Sequence, residues 1–308
     1  MQAGELAQAL LPVALLIGLG CALGQGGFLG REGWAAIERL VYFVLFPALL
    51  FQELVKAELR GQPVLAFGGC LLLAQLAMWA LAALIRRPLA LPGASYTSLV
   101  QGVVRWNSYV ALALAPGLFG PLATPLAALA VAVMVPTANV VSVLALARHG
   151  ARPGPRLGVG GLALALATNP LLLACALGIA ANLLGLHLPR SLGEPLAMLG
   201  RATLALGLLT VGAALRLESV VGRPGLILIA TLGNLILKPL LAFLLARLFG
   251  IEGTALGVAV LVSAVPTATS SYVLARLMGG DAELMAALIT VGTAAAFVTL
   301  PLVLLLLV

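Results

Sequence analysis

Apolar residues run through this chain in long blocks, and the polar positions gather in short gaps between them. A membrane-spanning helix needs about 20 apolar residues, because a rise of about 1.5 Å per residue has to cross about 30 Å of hydrocarbon. Blocks of that length, bounded by charges, Gly and Pro, predict ten spans over residues 5–24, 35–54, 63–85, 95–115, 121–147, 157–185, 195–215, 225–247, 253–277 and 283–307. The connections are too short for a separate soluble domain. The first block has no basic leader and runs to full spanning length, so it reads as a transmembrane helix and not as a cleaved signal.

Composition agrees with the pattern. The 308 residues are 62% hydrophobic and 9% charged, with a mean hydropathy of +1.17. A soluble fold must show much of its surface to water, and this chain lacks the polar residues for that. The expected class is an all-α polytopic membrane protein. The formal charge of +7 does not indicate a nucleic-acid partner, because the basic residues stand singly or in pairs with no aromatic-basic stripe. They read as topology signals. Arg31, Arg39, Arg86, Arg87, Arg148, Arg152, Arg156, Arg216, Arg223 and Arg276 fall on one side, against Lys56, Arg60, Arg190, Arg201 and Arg247 on the other. The richer side is cytoplasmic by the positive-inside rule, which puts both termini outside a bacterial inner (plasma) membrane. The basic, Pro- and Gly-rich segment "ARHGARPGPRLG" (147–158) is then a cytoplasmic linker.

The halves on either side of that linker echo each other. Pro12 matches Pro170 at an offset of 158, Pro63 matches Pro224 and Arg86 matches Arg247 at 161, and Tyr109 of "NSYVALA" matches Tyr272 of "SSYVLA" at 163. Ordered matches at a near-constant offset point to duplication, dividing the chain into repeats at 1–150 and 151–308. Five spans is an odd number, so the second repeat inserts upside down. Inverted repeats are a transporter architecture, with the substrate held near the midplane by broken helices.

The breaks are expected in spans four and nine. "RWNSYV" (105–110) sets Arg105, Asn107, Ser108 and Tyr109 in mid-span, where an Arg costs about 2.5–3.5 kcal/mol on insertion scales. "VPTATSSYV" (265–273) carries Pro266, Thr267, Thr269, Ser270 and Ser271. Pro266 interrupts the helical ladder, and the hydroxyl residues are expected to cap a half-helix that resumes at Tyr272. Half-helix N-termini present free N–H groups and attract anions. Asn139, near Pro136 in span five, supports the crossover or touches substrate. Lys238, beside Pro239 in span eight with Asn234 one turn earlier, is a counter-charge for substrate, an anchor for the broken helices, or a side chain snorkelling outward. The bland reading of the Ser and Thr residues is that they cross-link packed helices.

Other chemistry is sparse. Cys21, Cys70 and Cys175 are odd in number and widely spaced, which fits neither a disulfide framework nor a metal site. His149 and His187 read as loop residues, and no nucleophile or acid–base pair accompanies them. No enzyme, cofactor or metal is expected. Glu53, Glu194, Glu218, Asp281 and Glu283 stand near span ends, so the deep charges are cationic and favour anions.

The ordered set "IERLVYFVLFPALLF" (37–51), "RWNSYVALALA" (105–115), "MVPTANVVSVLALA" (134–147), "NPLLLACALGIAANLLGLHLP" (169–189), "LKPLLAFLLA" (237–246) and "VPTATSSYVLA" (265–275) resembles the auxin efflux carrier family. That family includes bacterial organic-acid permeases and plant auxin exporters. The resemblance implies a ten-helix fold similar to the bile-acid symporter and sodium/proton antiporter group. Spans 1, 2, 6 and 7 would form a scaffold that often dimerises, and spans 3–5 and 8–10 a transport domain moving in elevator fashion. It also implies carboxylate binding by Asn107 and by the Pro266–Thr267 break with Thr269 and Ser270. Span three lacks the Asp–Lys pair of the plant exporters, and their long cytoplasmic loop is absent. The expectation is a secondary-active or facilitative transporter of small organic anions, carboxylates and auxin-like acids among them. Its partners would be that anion, membrane lipid and a second copy, with no nucleic acid. The competing expectation is a membrane sensor or channel on the same scaffold.

Overall fold

The computed structural model describes residues 3–57, 63–151, 159–186, 188–216, 218 and 223–308. Residues 152–158 of the linker, with Arg152 and Arg156, lie outside the described residues, as do Arg60 and His187. The described residues are helical, with no strand among them. In chain order the helices are α1 (Ala3–Gln25), α2 (Arg31–Leu40), α3 (Phe46–Val55), α4 (Val64–Arg86), α5 (Gly93–Val104), α6 (Ser108–Phe119) and α7 (Ala123–His149), followed by α8 (Val159–Ala167), α9 (Pro170–Leu183), α10 (Arg190–Ala213), α11 (Pro224–Leu232), α12 (Lys238–Leu248), α13 (Gly253–Ala264), α14 (Ser270–Met278) and α15 (Ala282–Leu307).

Among the described residues, seven segments are long and apolar enough to cross a membrane: Leu6–Gln25, Arg31–Val55, Val64–Arg86, Ala123–His149, Arg190–Ala213, Pro224–Leu248 and Ala282–Leu307. The protein is therefore a multi-pass integral membrane protein. Three further predicted segments are each made of two shorter helices, α5 with α6, α8 with α9, and α13 with α14.

Local chemistry explains the irregularities. Two long segments contain a π turn, Val41–Leu45 and Gly233–Leu237, and each leads into a helix with Pro in its first turn, at Pro47 and Pro239. A proline ring collides with the preceding turn and offers no N–H. Widening that turn lets the helix continue. Pro47 is accommodated in this way. Between α8 and α9, Asn169 caps the second helix by accepting from Leu171 N at 2.9 Å and Leu172 N at 3.3 Å. His149, expected in a loop, instead ends α7 and meets Tyr96 edge-on at 5.3 Å, beside Arg86.

The helices associate in two neighbourhoods. α1 lies along α10, and α3 lies on α9 and α10. These contacts are close because glycine permits them: a Cβ on Gly212 would stand 2.0 Å from Ile17 O, and one on Gly20 2.2 Å from Leu209 O. Small residues bring helix backbones together where no hydrophobic force separates helix from lipid. In the second neighbourhood α4, α5 and α7 pack together, as do α12 with α13 and α11 with α15. Val103, Val104, Leu288 and Ile289 belong to its buried core.

Candidate functional site

The two breaks meet. The N–H of Asn107 donates to Pro266 O at 2.8 Å, and Thr267 Oγ1 donates to Gln101 O at 3.3 Å. A break leaves the final carbonyls of the first half-helix without intrahelical partners, and side-chain amides from neighbouring spans take them up. Gln75 Nε2 donates to Val104 O at the end of α5, at 3.0 Å, and to Met134 O at 3.1 Å. Asn234 Nδ2 donates to Val265 O just beyond α13, at 3.3 Å. Lys238 Nζ in turn donates to Asn234 Oδ1. Lys238 is fully buried, and a cation near the C-terminal end of α13 suits the negative end of its dipole.

The restarts differ from one another. α6 begins at Ser108, with Asn107 Oδ1 accepting from Val110 N at 3.3 Å. α14 begins at Ser270, two residues before the expected Tyr272, and its N-cap Thr269 makes no side-chain cap bond. The expected hydroxyl cap is replaced by backbone turns, Ser271 N to Ala268 O and Tyr272 N to Thr269 O, both 3.1 Å.

Arg105 lies between the breaks. Its Nη1 donates to Asn139 Oδ1 and its Nη2 to Ser270 Oγ, each at 2.9 Å, while Nε is buried without a partner. Its guanidinium stays charged, and both acceptors are neutral. Arg105 lines a cavity of about 610 Å³ together with Asn107, Ser108, Tyr109, Asn139, Thr269 and Ser270. Seven of the expected site residues thus share one cavity. Pro266, Thr267, Ser271 and Lys238 do not line it. Pro266 and Thr267 hold the crossover together, Lys238 supports it through Asn234, and Ser271 is buried in the first turn of α14.

The remaining walls carry residues that the sequence reading passed over. Glu38 and Arg39 of α2, Tyr42 and Phe43 of the π turn, Phe46 of α3, and Trp106 all line the cavity. The spacing of Glu38 and Tyr42, four residues apart, was the available signal, since such pairs share a helix face. Asn169 also lines the cavity and donates to Tyr42 Oη at 3.2 Å. The surroundings of the two restarted helices are unequal. α6 packs on α1 and α10, whereas α14 packs on α15, α5 and α7, and both contribute to the cavity wall.

Because Lys238 acts through a buried amide, Lys238→Met is expected to leave Asn234 Oδ1 without its donor. An orphaned buried acceptor costs about 1–3 kcal/mol, which would appear as a lower thermal midpoint in detergent even without ligand.

Residues 200–308, from within α10 to the end of α15, match the model of the Sodium Bile acid symporter family. No curated protein matches the chain. The match supports a fold related to those symporters and a membrane transporter in place of an enzyme.

Proposed function

We propose that this protein is a secondary-active or facilitative transporter of small organic anions, bound at the crossing of the two broken helices. In this reading ten spans form two inverted five-helix repeats like those of auxin efflux carriers. Spans 1, 2, 6 and 7 serve as a scaffold through which two copies pair, and spans 3–5 and 8–10 carry the substrate past it. The observation that carries the reading is Arg105: a permanent cation on the wall of a cavity, held by two neutral oxygens and, among the described residues, by no carboxylate. A cation kept at membrane depth without a counter-ion is costly, and a substrate carboxylate would supply one. The restarts of α6 and α14 add positive helix termini on the same wall. The different neighbours of those two helices, α1 and α10 for α6 and α15, α5 and α7 for α14, are what an alternating-access crossover would have.

Uptake of a carboxylate panel into proteoliposomes tests this directly, and flux also separates a transporter from a sensor. Asn107→Ala removes an amide donor from the cavity wall. A hydrogen bond to a charged group is worth about 1.5–3 kcal/mol, so the apparent affinity should fall roughly ten- to a hundredfold. Normal affinity in that variant would remove Asn107 from the binding site.

The matched family is named for sodium coupling. Here the carbonyls at the breaks, which could otherwise hold Na⁺, are taken up by Gln75, Asn234 and Thr267 beside Arg105 and Lys238. Replacing external Na⁺ by K⁺ at constant ionic strength should therefore leave uptake unchanged. A steep Na⁺ dependence would overturn that expectation.

A further inference from the structure

The cavity wall also carries a carboxylate, opposite in sign to Arg105. Glu38 of α2 supplies it, and this group makes no hydrogen bond or ion pair among the described residues. Arg39, the next residue, is exposed and does not pair with it. Tyr42 stands one helical turn from Glu38, about 6 Å along the axis, and lies within electrostatic reach of Arg105. Glu38 likewise lies within reach of Tyr109, two residues from Asn107. Both charges line one cavity, and no ion pair joins them among the described residues.

A simple carboxylate would meet Arg105 and leave Glu38 repelling it. A molecule with both a carboxylate and an ammonium group would satisfy the two ends together, and specificity built on such paired groups is strong because an analogue lacking one strands a protein charge. The same wall carries the apolar side chains of Phe46, Trp106, Val273 and Leu274, room for a side chain that leads away from both charged groups. We infer that the cavity takes a zwitterionic amino acid with an apolar side chain, its carboxylate on Arg105 and Ser270, its ammonium on Glu38. This rests on the reading of the cavity as the substrate site and replaces the simple anion by a carboxylate that also carries an ammonium group.

The test uses two matched sets on the purified full-length protein: L-phenylalanine with 3-phenylpropionate and 2-phenylethylamine, and L-leucine with 4-methylpentanoate and 3-methylbutylamine. Affinities come from thermal shift and from competition with uptake in proteoliposomes. At least one amino acid should bind about ten- to a hundredfold tighter than both of its one-charge analogues, the range expected for one lost charge-assisted hydrogen bond. Glu38→Gln, a near-isosteric change, should shrink the ratio of amino-acid to carboxylate affinity by about tenfold. Carboxylates binding as tightly as the amino acids, or an unchanged ratio in Glu38→Gln, would overturn this inference and leave the anion-transporter reading standing. Binding by none of the six compounds would overturn both.

Discussion

Arg105→Gln is expected to fold normally and to lose carboxylate uptake by at least about a hundredfold in kcat/KM. The folded state has little to lose, because the substitution removes a cation that has no counter-ion. Asn139 Oδ1 and Ser270 Oγ remain on a cavity wall where water can reach them. Substrate loses much more. Two charge-assisted hydrogen bonds to a carboxylate are worth about 3–6 kcal/mol together, or roughly two to four powers of ten in affinity. Arg105→Lys keeps the charge but not the planar fork, and should fall between the two. Uptake by reconstituted protein, with the thermal midpoint recorded on the same samples, separates lost binding from lost folding. Wild-type uptake by Arg105→Gln would end the anion reading.

Gly212→Val should prevent a stable fold altogether. A Cβ at that position would lie 2.0 Å from Ile17 O and 2.7 Å from Cys21 N. Both are backbone atoms of α1, so no rotamer change relieves the overlap, and α1 must move away from α10. That separation gives up the close packing of two helices along most of their length, a larger penalty than the 1–3 kcal/mol typical of overpacking. The expected result is protein that elutes in the void volume after extraction. Gly18→Ala is the control, since nothing lies within 4 Å of the atom it adds, and it should behave as wild type. A monodisperse Gly212→Val variant would contradict the observed contact between α1 and α10.

Much of this was legible along the chain. Apolar block length placed the helix ends to within a few residues for segments such as Val64–Arg86 and Ala282–Leu307, because hydrocarbon thickness sets a length that composition records. The breaks were legible for a different reason: Pro266 and the Arg105–Asn107 cluster are poor continuations of any membrane helix. What could not be read was the rotation of each helix about its axis. Lys238 and Glu38 are both charges in apolar text, yet Lys238 turns toward Asn234 and Glu38 toward the cavity. That choice is made by packing between segments far apart in sequence. The support from Gln75 and Asn234 was hidden for the same reason, since an amide gives no sign of which distant carbonyl it serves. Glu38 was overlooked because a carboxylate four residues inside a predicted span resembles a boundary marker, and only the cavity shows otherwise.

The bond from Asn107 N to Pro266 O joins one main chain to another. No side chain takes part in it, so among ordinary substitutions only proline at position 107 can delete it. Cavity-wall side chains that do not serve the carbonyls at the breaks can therefore change, aromatic for aliphatic, while the junction itself persists. If cargo binds at the crossing, as proposed, descendants of this sequence could change it without rebuilding the junction.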